Sequence, residues 1–220
     1  MKFNLIDIEN WKRKEHYNHI LNASNCTFSI TCNLDITDIL KYTKFNNIKL
    51  YPTIIYSITE AVNKFSEFRT CFDNEGRLGY WDVINPSFTI FNKENETFSN
   101  IWIKYEDDFS KFYNNYKTEV ELYTNSKKLN PQTNIPDNIF PISSIPWVSF
   151  TGFNLNIISD GTYLLPIFTL SKYFEQDNRV LLPISIQVHH AICDGFHVSR
   201  FINELQNIIK NNHLYIFKLN

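Results

Sequence analysis

The sequence predicts an α+β fold, a two-layer sandwich in which a mixed β-sheet packs against helices. Segments with alternating apolar residues, the period of a strand, outnumber segments with helical period in this chain of 220 residues. The two kinds of segment follow one another without the regular strand–helix alternation of an all-parallel sheet. Because no repeat, low-complexity tract or linker interrupts them, we expect a single domain over residues 1–220.

Helical periodicity predicts five helices. In the helix over 51–65 the apolar side chains fall on one stripe, and Pro52 stands at the first position, where its missing N–H costs least. A helix over 107–123 begins with acidic residues, which the helix dipole favours at that end. The others are predicted from a cap at Asn10 to about Leu21, from about Asp38, and over 196–210.

Strands are predicted where apolar residues alternate or form short runs. The segment 26–36 alternates clearly, and residues 74–76 indicate the turn of a hairpin. The stretch 126–142 holds three prolines and is predicted as a long ordered loop. Further strands are predicted over 87–93, 98–105, 147–157, 164–174 and 179–190.

Composition narrows the class of function. A net charge of −2 argues against nucleic acid and against a basic membrane-binding surface. The absence of a long apolar run and of a signal region predicts a cytoplasmic protein. The four cysteines form no C-x-x-C pair, so we expect reduced, buried thiols. The aromatic content of 16 % favours a thick core or a flat subunit interface.

The most informative stretch is "ISIQVHHAICDGFHVSRFINEL", residues 184–205. Strand alternation places His190 on the apolar row of Ile184, Ile186 and Val188, and His189 on the polar side. An imidazole at the end of a desolvated strand has a lowered pKa, stays neutral near pH 7 and acts as a general base. His190 is therefore the candidate base.

The residues after the histidine pair leave several roles open. Asp194 is either the cap of the following helix or an ion-pair partner, and Gly195 gives the backbone unusual freedom. A buried histidine is also commonly an ordinary core residue. Metal binding is the least favoured alternative, since neighbouring strand residues point to opposite faces and the two histidines cannot easily share an ion.

The motif resembles the H-H-x-x-x-D-G signature of the chloramphenicol acetyltransferases of the trimeric type A class. Segments from residue 3 to residue 209 resemble that family in the same order. They include "NWKRKEH", "LYPTIIY", "FRTCFDNEGRLGYWD", "ISSIPWVSFTGFNLNI" and "PIFTLSKY". The resemblance implies acetyl-CoA-dependent O-acetylation of chloramphenicol, with acetyl-CoA as co-substrate and no metal. It also implies a homotrimer with active sites between subunits.

By resemblance, each catalytic role falls on a numbered residue. His190 is the base that deprotonates the chloramphenicol hydroxyl, and Ser143 donates to the oxyanion of the tetrahedral intermediate. Asp194 pairs with Arg13 and holds the histidine loop. Thr169 matches a threonine that fixes a water at the transition state, although an ordinary strand threonine explains it equally well.

The resemblance also implies two binding sites. Lys172 and Tyr173 match positions that contact the phosphate and the adenine of CoA. Three positions depart from the family pattern in the region of the acceptor pocket: Ile20, Asn100 and Asn130. The acceptor pocket itself matches a set of residues that would otherwise be interpreted as core: Cys26, Phe28, Phe98, Phe153, Leu155, Ile157 and Ile167.

Two other functions remain open at this point. The first keeps the fold and changes the acceptor, as in the acyltransferase core of 2-oxo-acid dehydrogenase complexes or an enzyme for another hydroxylated compound. We expect no lipoyl domain or flexible linker before this domain, which weakens the 2-oxo-acid dehydrogenase alternative. The second is a non-catalytic binder, which would not need a base together with an oxyanion donor.

Overall fold

A mixed β-sheet forms one layer of the protein, and helices pack against it as the second layer. The computed structural model describes residues 2–155, 157 and 162–215, with the backbone alone at 23 and 212–215. The sheet has the strand order β2-β10-β8-β7-β5-β6, with β9 beside β10. The strands are β1 Phe3–Leu5, β2 Thr27–Asp35, β3 Thr70–Phe72, β4 Leu78–Trp81, β5 Asn85–Asn92, β6 Thr97–Trp102, β7 Ile139–Ile145, β8 Ile167–Ser171, β9 Phe174–Gln176 and β10 Arg179–His189.

The predicted fold class is confirmed. Strands β5, β7 and β8 run parallel to one another, while β2, β6 and β10 are antiparallel to their neighbours, so the sheet is mixed. A separate three-stranded sheet has the order β1-β4-β3 and contains the predicted hairpin. The helices are α1 Lys14–His19, α2 Thr37–Phe45, α3 Leu50–Lys64, α4 Phe109–Tyr123 and α5 Gly195–Tyr215.

The first helix differs from the prediction. It begins at Lys14 rather than after Asn10, because Asp7 caps a separate 3₁₀ turn by accepting from the Glu9 N–H. It continues as a π-helical turn over Ile20–Ser24, which ends at Asn25 in the left-handed conformation. In α3, which begins at Leu50, Pro52 stands in the first turn but not at the first position.

One predicted strand is wrong, and strands β1, β7 and most of β9 were not predicted. Residues 147–155 form no strand, whereas the parallel strand β7 begins inside the segment 126–142, which was expected to be a loop, and ends three residues beyond it. Pro141 and the two serines of β7 are typical of a loop, but β5 and β8 flank β7 and supply its hydrogen-bonding partners. Tertiary pairing therefore overrides the local signal here.

Aromatic side chains fill the space between the two layers. Phe201 of α5 stacks on Phe68, with ring centroids 4.5 Å apart, and lies 5.4 Å from Phe168 of β8. Phe168 in turn meets Phe140 of β7 at 5.6 Å. All four rings are fully buried, so part of the high aromatic content is accounted for by the core.

Candidate active site

The structure reverses the predicted burial of the histidine pair. Every residue from Leu181 to His189 is buried, and His189 is only 2 % exposed, whereas His190 is half-buried. The prediction that His190 is the buried histidine is wrong, because β10 is an interior strand that is covered on both faces. Burial, aided by the neighbouring His190, lowers the pKa of His189.

The hydrogen bonds of His189 indicate a structural role. The Ala191 N–H donates to Nδ1 of His189 at 3.2 Å, so the ring carries its hydrogen on Nε2. Nε2 donates to Oδ1 of Asn25 at 3.1 Å. His189 thereby ties the end of β10 to the left-handed residue that precedes β2.

His190 lies immediately after β10, in the turn that leads to α5. Its backbone N–H donates to the carbonyl of Cys26, and its ring lies edge-on to Phe28, with centroids 5.2 Å apart. Nδ1 of His190 lies 3.2 Å from the carbonyl oxygen of Cys193. A carbonyl oxygen only accepts, so Nδ1 carries the hydrogen and Nε2 of the neutral ring presents its lone pair. This is the tautomer that a general base at Nε2 requires.

Arg13, which directly precedes α1, binds residues 190–194 between β10 and α5, the histidine turn. Its guanidinium donates to the carbonyls of Ala191 at 2.8 Å and His190 at 2.9 Å, and to the carboxylate of Asp194 at 3.0 Å. Asp194 also accepts from the backbone N–H of Phe196 at 3.0 Å, so it both caps α5 and pairs with Arg13. The two roles that the sequence left open are filled together.

The pKa of Asp194 agrees with its role in this clamp, the ion pair with Arg13 that holds the histidine turn. Partial burial raises its pKa, but the hydrogen bonds from Arg13 and then His197 outweigh that effect and lower the pKa to about 2. Gly195, in contrast, opens α5 without a left-handed backbone, and a Cβ there would meet no atom within 4 Å. The prediction that Gly195 has a special backbone geometry is therefore wrong.

Four other predicted residues gather at the opposite end of the sheet. Ser143, Lys172, Tyr173 and Phe98 line a cavity of about 790 Å³ at the carboxyl ends of the parallel strands β5, β7 and β8. Its walls are largely apolar and include Tyr51 of α3, Tyr116 of α4 and Trp147. Phe98, Tyr173 and Trp147 are 40–61 % exposed at this end.

Thr169 and Ile167 lie in the middle of the sheet on β8. Both are buried, and Thr169 is paired with Ser143 of β7 on one side and with Ser185 of β10 on the other. Cross-strand partners share a face, so these three hydroxyl side chains form a row across the sheet.

The remaining predicted pocket residues belong to the segment that crosses this face. The backbone of Phe153 is held at both ends: its N–H donates to Oγ1 of Thr31 at 3.3 Å, and its carbonyl accepts from Oγ of Ser185 at 2.7 Å. Leu155 and Ile157 are exposed, at 44 % and 41 %.

The three departures from the family pattern fall in two places. Ile20 is packed into the core, with 9 % of its surface exposed. Asn100 of β6 donates its backbone N–H to the carbonyl of Leu129 at 2.7 Å, so Asn100 and Asn130 lie close together at the edge of the sheet. The two asparagines therefore add amide groups to one local surface.

The predicted catalytic residues form two groups that one chain does not bring together. His190 lies five residues beyond Ser185, or ~16 Å along β10 at a strand's rise per residue. Ser143 lies two strands from Ser185 at the same level, which adds ~10 Å sideways. The backbones of His190 and Ser143 are therefore ~19 Å apart.

Sequence reasoning missed several residues at these two groups. Tyr51 and Trp147 line the large cavity, and His197 contacts Asp194. Within the described ranges, no three His, Cys, Asp or Glu side chains converge as a metal-binding group. No helix in that part of the chain is long and apolar enough to cross a bilayer.

Comparison with known sequences decides the family. Residues 1–206 match the sequence model of the family described as Chloramphenicol acetyltransferase. The chain belongs to the chloramphenicol acetyltransferase family. It is 56 % identical over 216 residues to a relative of that name from Clostridium perfringens, covering 98 % of this chain and 99 % of the relative. A second, from Clostridium butyricum, is 59 % identical over 208 residues, covering 94 % and 95 %.

Solved structures agree on the fold. A chloramphenicol acetyltransferase structure superposes with a TM-score of 0.84 at 24 % identity, covering 94 % of this chain and all of that one. The cubic core of the pyruvate dehydrogenase multienzyme complex superposes with a TM-score of 0.66 at 17 % identity, covering 97 % and 93 %. At these identities the likeness concerns the fold alone.

Proposed function

We propose that this chain, as a single acetyltransferase domain in the cytoplasm, transfers the acetyl group of acetyl-CoA to a hydroxyl of chloramphenicol and so inactivates the antibiotic. Family membership over nearly the full chain carries the assignment. The histidine turn supports it chemically, because Nδ1 of His190 is held by the Cys193 carbonyl and Nε2 presents a lone pair.

The reaction follows from these groups. Nε2 of His190 accepts the hydroxyl proton as the substrate oxygen attacks the thioester carbonyl. The resulting tetrahedral oxyanion accepts a hydrogen bond from the hydroxyl of Ser143, a contact worth about 3 kcal/mol in such sites. The C–S bond then breaks, and the thiolate of CoA takes the proton back from His190. The products are the acetyl ester and free CoA.

In this proposal, His190 and Ser143 meet only where two subunits are in contact. A separation of ~19 Å is far too long for one reacting centre to contact both His190 and Ser143, since reacting atoms lie about 3 Å apart. A second copy that brings its Ser143 to the His190 of the first completes the site. We therefore propose a homotrimer in which each active site takes His190 from one subunit and Ser143 from the next.

The large cavity fits acetyl-CoA in this arrangement. Its volume of about 790 Å³ and its apolar walls suit an extended pantetheine arm. Tyr173 and Trp147 are exposed aromatic side chains at its rim, and Lys172 is exposed beside them, within reach of a phosphate. We propose Phe28 and Cys26, which lie beside His190, as walls of the acceptor pocket, together with Phe153 and Leu155.

The first experiment measures thiol release from acetyl-CoA with and without chloramphenicol. We expect chloramphenicol-dependent release by the wild-type protein and none above background by His190→Ala, with the oligomer intact by analytical ultracentrifugation. Release that His190→Ala leaves unchanged would refute the base. No release by a folded wild-type oligomer that binds acetyl-CoA would indicate another acceptor, in keeping with Asn100 and Asn130.

A complementation experiment tests the shared site. His190→Ala and Ser143→Ala chains, co-expressed with different affinity tags and purified through both, form mixed oligomers. In these, one site pairs an intact His190 with an intact Ser143 from the other chain, so activity returns. If both residues served a site within the same chain, mixed oligomers would be no more active than the two single variants.

A further inference from the structure

His197 stands on the first turn of α5, behind the histidine turn, and its contacts go beyond those of a surface residue. Its Nδ1 lies 2.8 Å from Oδ1 of Asp194. The backbone N–H of Asp194 also lies 3.2 Å from Nδ1. The carboxylate contact is the shorter one, and a lone pair on Nδ1 would face a carboxylate oxygen that only accepts, so the hydrogen belongs on Nδ1. The side chain is 22 % exposed, and its ring lines a cavity of about 450 Å³ between α1, α5 and the small sheet.

The contact completes the hydrogen bonding of the Asp194 carboxylate. Oδ1 accepts from Nδ1 of His197 and from the backbone N–H of Phe196 at 3.0 Å, while Oδ2 accepts from Arg13 at 3.0 Å. The oxygen that faces α5 is thereby fixed, and the other one is turned towards the guanidinium. Loss of the Nδ1–H donor would leave Oδ1 held by the backbone N–H groups of Phe196 and His197 alone, and would loosen the orientation of Oδ2 towards Arg13.

Arg13 carries the effect to the reacting histidine. The same guanidinium donates to the carbonyl oxygens of His190 and Ala191. A path of direct contacts therefore runs from His197 through Asp194 and Arg13 to the backbone of His190. We propose that His197 is a positioning residue that orients the Asp194 carboxylate through Nδ1–H and thereby sets the position of His190. This proposal rests on the proposed function, in which His190 is the base.

Several charged groups share the surroundings of His197. Lys12, Arg13 and His16 line the same cavity from the N-terminal segment and α1, and Tyr80 lines it from β4. Glu67 lines it from the 3₁₀ helix Ser66–Arg69 and is paired with Arg200 of α5. Because Glu67 is already paired with Arg200, the carboxylate that lies within hydrogen-bonding distance of Nδ1 of His197 is that of Asp194.

Substitutions at His197 separate the Nδ1–H donor from other roles. His197→Ala removes the donor, whereas His197→Asn places an amide N–H at the position of Nδ1. We expect His197→Ala to lower kcat about tenfold, the loss that corresponds to one charge-assisted hydrogen bond, with both KM values little changed. His197→Asn should restore kcat to within about threefold of wild type. It should also leave the pH profile of kcat unchanged, because Asn supplies the same donor without titrating.

Two further variants make the test decisive. His16→Asn alters a histidine of the same cavity and should keep wild-type kcat. His197→Gln carries its amide one bond too far to replace Nδ1, so it should behave like His197→Ala. If the His197→Ala chain fails to fold, His197→Gln takes its place in the comparison. Equal loss in the Asn and Gln variants, or wild-type kcat in the Ala variant, would overturn the proposal. If His190→Ala, measured in parallel, were fully active, the proposed function would fail first.

Discussion

Replacement of Asp194 by Asn tests the clamp on the histidine turn. The carboxylate has its pKa lowered from 3.8 to about 2, a difference that corresponds to ~2.4 kcal/mol of stabilisation. Because the side chain is 37 % exposed, water screens the interaction, and we expect a loss of about 1–2 kcal/mol in the free energy of unfolding at neutral pH. An Asn side chain also places a donor against either Arg13 or the N–H groups of α5, so neither amide orientation restores the contacts.

The sign of the pH dependence follows from the lowered pKa. The stabilisation by Asp194 is complete above its unfolded pKa of 3.8 and is lost as the pH falls through the folded pKa of about 2. The difference between wild type and Asp194→Asn should therefore be constant near neutral pH and shrink steadily below about pH 4. The double variant with Arg13→Met should be destabilised by less than the sum of the two single variants.

Denaturant unfolding followed by tryptophan fluorescence measures these differences. The scans are run at a fixed protein concentration, since assembly contributes to the apparent stability of an oligomer. Equal stability of wild type and Asp194→Asn at pH 7 would refute the stabilising clamp. A difference that persists undiminished near pH 3 would assign the effect to geometry rather than to charge.

Two other substitutions test the oxyanion donor and the small sheet. Ser143→Ala should lower kcat by about 10²–10³ with little change in the KM for acetyl-CoA, because in the proposed reaction its hydroxyl acts only in the transition state. Steady-state kinetics measures this change, and a shift in oligomer size would assign the loss to assembly instead. Gly79→Ala places a Cβ 2.6 Å from the Asn4 carbonyl oxygen and against the Phe3 ring, so β1 must shift. We expect the free energy of unfolding to fall by about 2 kcal/mol. Gly152→Ala is the matched control, since a Cβ there meets nothing within 4 Å, and an equal loss in both variants would contradict the steric argument.

Local patterns identified most of the elements because their signals are short in range. The stripe of α3, the alternation of β2 and the hairpin before β4 each depend on residues that are neighbours in sequence or on one face. The chemistry of the second histidine and of Asp194 also follows from a contiguous motif. A resemblance that runs along the chain supplied Ser143, Arg13 and the binding residues, which no local pattern singles out.

The failures share one cause, which is that burial and pairing are properties of the whole fold. Pro141 and its serine neighbours form a strand only because β5 and β8 flank them. His189 is buried because β10 lies inside the sheet and is covered on both faces, so alternation along one strand could not assign the buried histidine.

The sequence by itself determined the fold class, because periodicity carries it, and the family, because the resemblance runs along nearly the whole chain. Only the tertiary structure decided which histidine is buried, that Asp194 serves as cap and ion-pair partner together, and that His197 joins it. The tertiary structure also separates His190 from Ser143 at opposite ends of the sheet. That separation arises because β7 and β8 run parallel to each other, whereas β10 runs antiparallel to β8. The carboxyl end of β10, where His190 lies, is therefore at the opposite edge of the sheet from the carboxyl end of β7.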